Sequence, residues 1–327
     1  MLTKDEIRGL CALPSTPTKP DGGGWDATDS VDLDETASLV EKLIAAGCGS
    51  IGVAGTTGEC AALLAEEKRA LAEVVVQTAR KRVPVIAGAT ALGTKEVVRQ
   101  MRSLREVGVD ACLVGLPLWQ TPTLANSVQF YADLSEALPD MAVMVYANSM
   151  YFKSVFPTEF WAGLAHRAPT VTLCKVSYGV EHIVEDLDAA GQQINFIVGE
   201  SNLYDAYKKA GTRITAGWAT SAGLGPEPVV ALIEAILKND AARAAEVAGD
   251  LKSLPPTFPP PGEFRRDFPY YNAQINKYMG NRSGFANFGP FRAPYTDLPG
   301  GLPEHLDKVI EARKALRQKY ARAGVAS

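Results

Sequence analysis

Short apolar segments alternate with amphipathic helical patterns along most of this chain, and this alternation limits the possible folds more than any other feature. We predict eight strands, at residues 10–13, 50–54, 83–89, 111–115, 142–146, 171–176, 195–198 and 214–218. Each of the first seven is separated from the next by a helical pattern. Strands that are apolar throughout are typical of parallel sheets, because helices cover both faces of such a sheet.

Helical spacing of apolar residues occurs at 33–46, 66–82, 94–107, 124–138, 158–165, 180–190, 203–210 and 227–238. Eight strand–helix repeats predict the α/β class and a (β/α)8 barrel. A doubly wound open sheet also alternates strands and helices. However, no GxGxxG motif follows the first strand, and the strands do not divide into two halves. These observations favour the barrel.

The chain changes character after residue 253. Five prolines fall within residues 254–262, which therefore cannot continue a helix and are predicted to be a linker. Helical patterns follow at 270–278 and 302–323, and each is short for independent folding. We therefore predict a catalytic barrel at 1–253. Residues 254–327 are expected to form a Pro-rich linker and a helical extension that packs on the barrel.

Composition narrows the class of protein. The hydrophobic fraction is 46% and the charged fraction 21%, which is ordinary for a globular protein. The net charge of -4, with scattered basic residues, argues against nucleic acid and against an anionic membrane surface as partners. No apolar run is long enough to span a membrane. The first six residues also lack the apolar run of a signal peptide.

Cysteine and histidine usage exclude several kinds of site. Five cysteines stand singly with no CxxC spacing, which predicts a reducing, cytoplasmic location and no disulfide scaffold. The three histidines, His166, His182 and His305, show no metal-ligand spacing. We therefore expect neither a bound metal nor a Ser-His-Asp hydrolase.

Lys175 is the most unusual residue, because it stands near the carboxyl end of the apolar strand at 171–176. A buried lysine has a lowered pKa and presents a neutral amine, which is what attack on a ketone requires. The alternative is a lysine whose stem packs while its ammonium reaches solvent or a carboxylate. The strand by itself leaves both interpretations open.

Other reactive residues also follow strands, where barrel enzymes place their chemistry. After the second strand, Gly55, Thr56 and Thr57 form a turn at a helix start, with backbone N–H groups and hydroxyls suited to a carboxylate or phosphate. A plain turn with a threonine cap is the alternative. Tyr146 ends the fifth strand, where packing is the alternative to catalysis. Trp218 ends the eighth strand.

The turn Gly-Thr-Thr-Gly-Glu at 55–59, Tyr146 at the end of the fifth strand and Lys175 on the next strand together resemble the dihydrodipicolinate synthase and N-acetylneuraminate lyase family. The resemblance covers the barrel from about residue 10 to residue 237. It implies a class I pyruvate aldolase that needs no cofactor or metal, since Lys175 itself forms the imine. It also implies a homotetramer.

Within that family the chain is similar to the hydratase-aldolases of aromatic-hydrocarbon breakdown. The similar stretches are 2–7, 130–131, 146–148, 218–222, 271–277 and the Gly-Pro-Phe-Arg-Ala-Pro-Tyr segment at 289–295. The chain departs from the synthases after the fourth strand, where it carries Trp119 in place of their tyrosine, and at Ala147 and Ser149. These departures put the synthases' proton relay in doubt. They are compatible with a pocket for an aryl group, lined by Trp119 and Trp218.

The resemblance implies hydration and cleavage of an aryl-substituted 2-oxobut-3-enoate, of the benzylidenepyruvate type, to an aromatic aldehyde and pyruvate. Lys175 would form the imine and Tyr146 would shuttle protons, with the carboxylate on Thr56 and Thr57. Asn148 and Asn272 are candidates for orienting the water or hydroxyl. The alternatives are another pyruvate-dependent lyase, synthase or dehydratase and, with less support, a non-catalytic 2-oxo acid binding protein.

Overall fold

The computed structural model describes residues 1–259 and 264–321, and within them eight parallel strands form a closed barrel. The strands follow one another around the barrel in chain order, and β1 (Gly9–Ala12) pairs with β8 (Ala216–Ala219) to close it. The strands between them are β2 (Ser50–Val53), β3 (Val85–Gly88), β4 (Ala111–Val114), β5 (Ala142–Ala147), β6 (Val171–Val176) and β7 (Asn195–Gly199). The predicted (β/α)8 barrel is confirmed.

Helices surround the barrel and follow it in the chain. They are α1 (Leu33–Ala45), α2 (Ala65–Ala79), α3 (Thr94–Glu106), α4 (Leu124–Ala137), α5 (Ser149–Phe152), α6 (Thr158–Arg167), α7 (Ile183–Ala190), α8 (Leu203–Ala210), α9 (Glu227–Leu237), α10 (Ala241–Lys252), α11 (Phe264–Ser283) and α12 (Leu302–Lys319). Short 3-10 turns lie at Lys4–Glu6, Gly211–Arg213 and Ser221–Leu224. None of the described helices is long and apolar enough to cross a membrane.

Side-chain caps mark where several helices begin. The Asp32 carboxylate accepts a hydrogen bond from the backbone N–H of Glu35 at 2.9 Å. Thr123 caps α4 and Asp240 caps α10 in the same way, each by accepting from the amide three residues later. Such caps satisfy amide groups that have no partner inside the helix, so these sequence positions determine the helix starts.

Several predicted boundaries were wrong. The helix predicted at 180–190 begins at Ile183, and the strand predicted at 214–218 is displaced to Ala216–Ala219. Helix α10 was not predicted, because Ala244 and Val247 are its only fully buried residues and give a weak apolar stripe. The short helix α5 was also missed.

The C-terminal helices also differ from prediction. The helix predicted at 270–278 is the longer α11, which contains Pro269 five residues after its start. Proline has no N–H to donate, so it removes one backbone hydrogen bond of the helix at this point. The predicted linker is non-helical at 254–259, and its residues 260–262 lie outside the described residues. Helix α12 ends at Lys319, and residues 322–323 of its prediction are likewise outside.

Helices α11 and α12 pack against each other through Ile275, Met279, Leu306 and Ile310. Phe288, which follows α11, joins the main core around the barrel. The segment after residue 264 therefore contacts the barrel through buried side chains. The division of the chain at residue 253 stays a prediction.

A buried ion triad joins this C-terminal segment to the loops of the barrel. Glu59, just after the threonine turn, accepts hydrogen bonds from Lys277 Nζ at 2.7 Å and from the Arg292 guanidinium. Arg292 also donates to the backbone oxygens of Thr16 and Pro17, at 3.2 and 3.0 Å. The partners of Glu59 are thus two cations that lie more than 200 residues away in the chain.

We predict that Arg292→Met lowers the free energy of unfolding by about 3–5 kcal/mol. Glu59 is left with one cation in place of two, and the buried backbone oxygens of Thr16 and Pro17 each lose a donor. Denaturant unfolding measures the change. The matched control is Arg82→Met, which removes an exposed guanidinium from Glu41 and should cost less than about 1 kcal/mol. Equal effects of the two variants would contradict a structural role for the triad.

Candidate active site

Lys175 lies near the carboxyl end of β6 with its side chain buried inside the barrel mouth. Its amine, Nζ, is 3.6 Å from the centre of the Trp218 ring and 4.0 Å from the centre of the Tyr146 ring. The one hydrogen bond that the amine donates within the described residues goes to Ser177 Oγ, at 2.9 Å. Lys175 is therefore a buried lysine, and the alternative of an ammonium in solvent or against a carboxylate does not describe its surroundings.

Burial lowers the pKa of Lys175 to about 7, since the charged amine loses its hydration. The nearby thiols of Cys11 and Cys174 do not supply a counter-charge at neutral pH, because burial raises the pKa of Cys11 to about 11 and raises that of Cys174 as well. A substantial fraction of the amine is therefore neutral, and nucleophilic, near pH 7.

Tyr146 lies directly opposite Lys175 in the pairing of β5 with β6. Its hydroxyl is 3.2 Å from Thr56 Oγ1 and accepts a long hydrogen bond of 3.4 Å from Asn148 Nδ2. Burial raises the pKa of Tyr146, so the phenol is protonated at neutral pH. The arrangement places the Tyr146 ring against the amine, and the Tyr146 hydroxyl can exchange protons with that of Thr56.

The threonine turn is held in an unusual backbone shape. Ala54, the residue before it, has a left-handed backbone with φ of 52°. The carbonyl oxygen of Ala54 approaches Gly88 so closely that a Cβ there would lie 1.8 Å from it, which explains the glycine. Strain of this kind is often found where a site holds a ligand.

The turn leaves donors available. Within residues 1–259 and 264–321, the backbone N–H groups of Thr56 and Thr57 have no hydrogen-bond acceptor. A small cavity opens beside them, and its lining includes Gly55, Thr56, Thr57, Tyr146 and Lys175. Two unpaired amide groups that face a cavity are suited to a carboxylate.

Asn272, on α11, joins the site through Thr57. Its Oδ1 accepts from Thr57 Oγ1 at 3.1 Å and from Asn276 Nδ2 at 2.9 Å. Its Nδ2 donates to the hydroxyl of Tyr151 at 2.9 Å. The C-terminal segment thus contributes directly to the neighbourhood of the threonine turn.

The two tryptophans predicted to line an aryl pocket have different environments. Trp218 covers the amine of Lys175, and its indole N–H donates to the backbone oxygen of Val176 at 2.7 Å. Trp119 lies in the segment after β4 with 84% of its side chain exposed. The structure therefore brings Trp218 to Lys175 and does not bring Trp119 there.

Sequence reasoning missed Ser177, Tyr151 and Thr220, which lie in or next to the site. Ser177 carried a usable signal, because it comes two residues after a lysine at a strand end. Tyr151 is recognisable only through its contact with Asn272, which is 121 residues away in the chain. Among the described residues no group of three or more His, Cys, Asp or Glu side chains is arranged to hold a metal.

Comparison with known proteins assigns the family. The model of the Dihydrodipicolinate synthetase family matches residues 8–259 of this chain. The chain belongs to the dihydrodipicolinate synthetase family. The resemblance inferred from the threonine turn, Tyr146 and Lys175 is therefore confirmed.

Similar members of this family carry hydratase-aldolase names. Trans-O-hydroxybenzylidenepyruvate hydratase-aldolase of Pseudomonas putida is 38% identical over 325 residues, covering 98% of this chain and 97% of that protein. Trans-2'-carboxybenzalpyruvate hydratase-aldolase of Nocardioides sp. (strain KP7) is 32% identical over 324 residues, with 98% and 96% covered. The solved structure described as PhdJ bound to substrate intermediate has a TM-score of 0.92 and 32% identity, and covers 98% of this chain and 99% of that one.

We predict that Lys175→Met stabilises this family member near pH 7, by an amount on the order of a few kcal/mol. The folded-state pKa of about 7 lies below the ordinary 10.5. The free-energy penalty for burying the charged amine therefore has its full size below pH 7. That penalty fades as the pH rises from 7 to 10.5, because the unfolded state then binds more protons than the native state.

The measurement is denaturant unfolding of both proteins across this pH range. The stability advantage of Lys175→Met should be largest near pH 7 and should shrink steadily towards pH 10. An advantage that does not change with pH would show that the Lys175 amine is equally protonated in the folded and unfolded states, contrary to the geometry.

Proposed function

We propose that this chain is a Schiff-base-forming hydratase-aldolase. It hydrates and cleaves an aryl-substituted 2-oxobut-3-enoate, of the benzylidenepyruvate type, to an aromatic aldehyde and pyruvate. The observation that carries the proposal is the buried amine of Lys175. It has no carboxylate partner among the described residues, it lies over the Tyr146 ring, and it shares a cavity with Thr56 and Thr57, whose amide groups are unpaired.

The first step is imine formation. The neutral amine of Lys175 adds to the ketone carbon of the 2-oxo acid, and water leaves to give a protonated imine. The substrate carboxylate accepts from the backbone N–H groups of Thr56 and Thr57. The Thr57 hydroxyl already donates to Asn272, so that hydroxyl is not the main donor to the carboxylate.

The imine then drives two further steps. It withdraws electrons from the adjoining double bond, so the oxygen of a water molecule adds to the carbon next to the ring, and a proton is added to the neighbouring carbon. The new hydroxyl next loses its proton, the bond between these two carbons breaks, and the electron pair enters the enamine. Aryl aldehyde leaves, and protonation and hydrolysis of the imine release pyruvate.

Tyr146 is the proposed proton carrier for these steps, since the amine lies over its ring and its hydroxyl is within reach of Thr56 Oγ1. Asn148 is proposed to help orient the water or hydroxyl, because its amide nitrogen points to the Tyr146 hydroxyl. Trp218 is proposed as the wall against the aryl group. Trp119 contributes to that pocket only if its exposed ring moves inward.

The substrate class rests on the relatives, whose printed names describe benzylidenepyruvate and carboxybenzalpyruvate hydratase-aldolases. We further propose that the chain needs no metal or cofactor, because the imine of Lys175 supplies the electron sink. A cytoplasmic location is proposed from its five free cysteines, and a homotetramer from the family resemblance.

We predict that borohydride reduction in the presence of pyruvate attaches a pyruvyl group to Lys175. Peptide mass mapping locates the adduct. Lys277 is an internal control, because it is equally buried but ion-paired with Glu59 and should stay unmodified. Lys175→Ala should show no adduct, and labelling at any other lysine would refute the mechanism.

A second prediction concerns the aldehyde. Incubation with pyruvate and benzaldehyde-type aldehydes should produce a benzylidenepyruvate, because the reaction can run in reverse through the same imine. The absorbance of this product measures the reaction. N-acetylmannosamine and aspartate semialdehyde are the comparison aldehydes, and Lys175→Ala is the blank. Reaction with only those two would assign the chain to a sugar-acid or dihydrodipicolinate-type activity. Trapped pyruvate without reaction of any aldehyde would indicate a 2-oxo acid binding protein.

A further inference from the structure

We propose that the Tyr151 hydroxyl donates a hydrogen bond to a substrate oxygen that lies beyond the 2-oxo acid part of the molecule. Tyr151 would then act in recognition or activation of the part of the substrate that becomes the aldehyde, here called the aldehyde half. This inference rests on the proposed hydratase-aldolase activity and assigns one of its binding groups.

The starting point is the side-chain amide of Asn272, whose orientation is determined by its neighbours. Two donors, the Thr57 hydroxyl and the Asn276 amide nitrogen, meet the same atom of Asn272, at 3.1 and 2.9 Å. An amide nitrogen cannot accept hydrogen bonds, so this atom must be the oxygen. The nitrogen of Asn272 therefore faces the Tyr151 hydroxyl.

The donor role of Tyr151 follows from this orientation. Asn272 Nδ2 donates to Tyr151 Oη at 2.9 Å, so the phenol oxygen is an acceptor in this contact. The O–H proton of Tyr151 has no acceptor within the part of the chain that the structure describes. Burial raises the pKa of Tyr151, so the phenol keeps that proton at neutral pH. The result is an oriented donor without a protein partner.

The position of Tyr151 places this donor near the reacting end of the site. Tyr151 lies in α5, five residues after Tyr146, and its backbone N–H donates to the Asn148 side chain at 3.2 Å. The next residue, Phe152, packs edge-on against the Tyr146 ring at 5.2 Å between ring centres. The hydrogen-bonded series from Thr57 through Asn272 to Tyr151 thus begins at the turn where the carboxylate is proposed to bind.

Two oxygens of the aldehyde half fit such a donor. One is the oxygen that hydration adds next to the ring, which becomes the carbonyl oxygen of the aldehyde. The other is an oxygen substituent on the ring itself. Both are acceptors of the same chemistry, and the choice of aldehyde in an assay separates them.

The test is Tyr151→Phe, which removes the hydroxyl and keeps the ring. We expect the kcat/KM for condensation of pyruvate with an aldehyde to fall about 5- to 10-fold, the effect of one lost hydrogen bond to a neutral acceptor. Borohydride trapping of pyruvate alone should keep its unmodified rate, because the imine forms without the aldehyde half. Tyr270→Phe, a change at an exposed tyrosine of α11, is the matched control and should alter neither.

Benzaldehyde and 2-hydroxybenzaldehyde form the two arms of the assay. An equal loss with both supports a bond to the carbonyl oxygen, and a loss with 2-hydroxybenzaldehyde alone supports a bond to the ring oxygen.

Unchanged condensation of both aldehydes by Tyr151→Phe overturns the inference while leaving the proposed function in place. A parallel loss of pyruvate trapping in this variant also overturns it, because Tyr151 would then support the whole site. No trapped pyruvate in the unmodified protein would instead refute the proposed function, and this inference with it.

Discussion

The pairing of β5 with β6 is the constraint on which the site depends, because it puts Tyr146 directly opposite Lys175. Side chains alternate between the two faces of a strand, so a slip by one residue would turn Lys175 away from the barrel mouth. Closure of the barrel prevents such a slip, since both strands are hydrogen-bonded on each side. The parallel direction of the strands then brings the threonine turn after β2 to the same end.

Two of the buried lysines, Lys175 and Lys277, have different partners. Lys277 is fully buried but donates to the Glu59 carboxylate and to the backbone oxygen of Pro290. Lys175 is buried between aromatic rings, with neutral thiols and a serine hydroxyl as its polar neighbours. Desolvation lowers the pKa of both amines, and the Glu59 carboxylate offsets it in part for Lys277, whose pKa is lowered only to about 8. The two lysines thus differ by one carboxylate partner.

The C-terminal segment contributes to both environments. Through Lys277 and Arg292 it neutralises Glu59, which directly follows the strained threonine turn. Through Asn272 it engages Thr57 and Tyr151. The turn that is proposed to bind the substrate carboxylate is therefore held from outside the barrel as well as by its own strand, which is one way to maintain a strained backbone.

The sequence by itself determined the barrel and the positions of Lys175, Tyr146 and the threonine turn near the carboxyl ends of its strands. Their signals are local: apolar strands at regular spacing, one lysine in a strand, and a short motif after a strand. Tertiary structure alone decided that Asn272 fastens Thr57, that Glu59 meets Lys277 and Arg292, and that Trp218 covers the amine while Trp119 lies in solvent. The contacts join residues far apart in the chain. Those of Asn272 and Glu59 depend on how α11 and the segment after it pack, which no local pattern encodes.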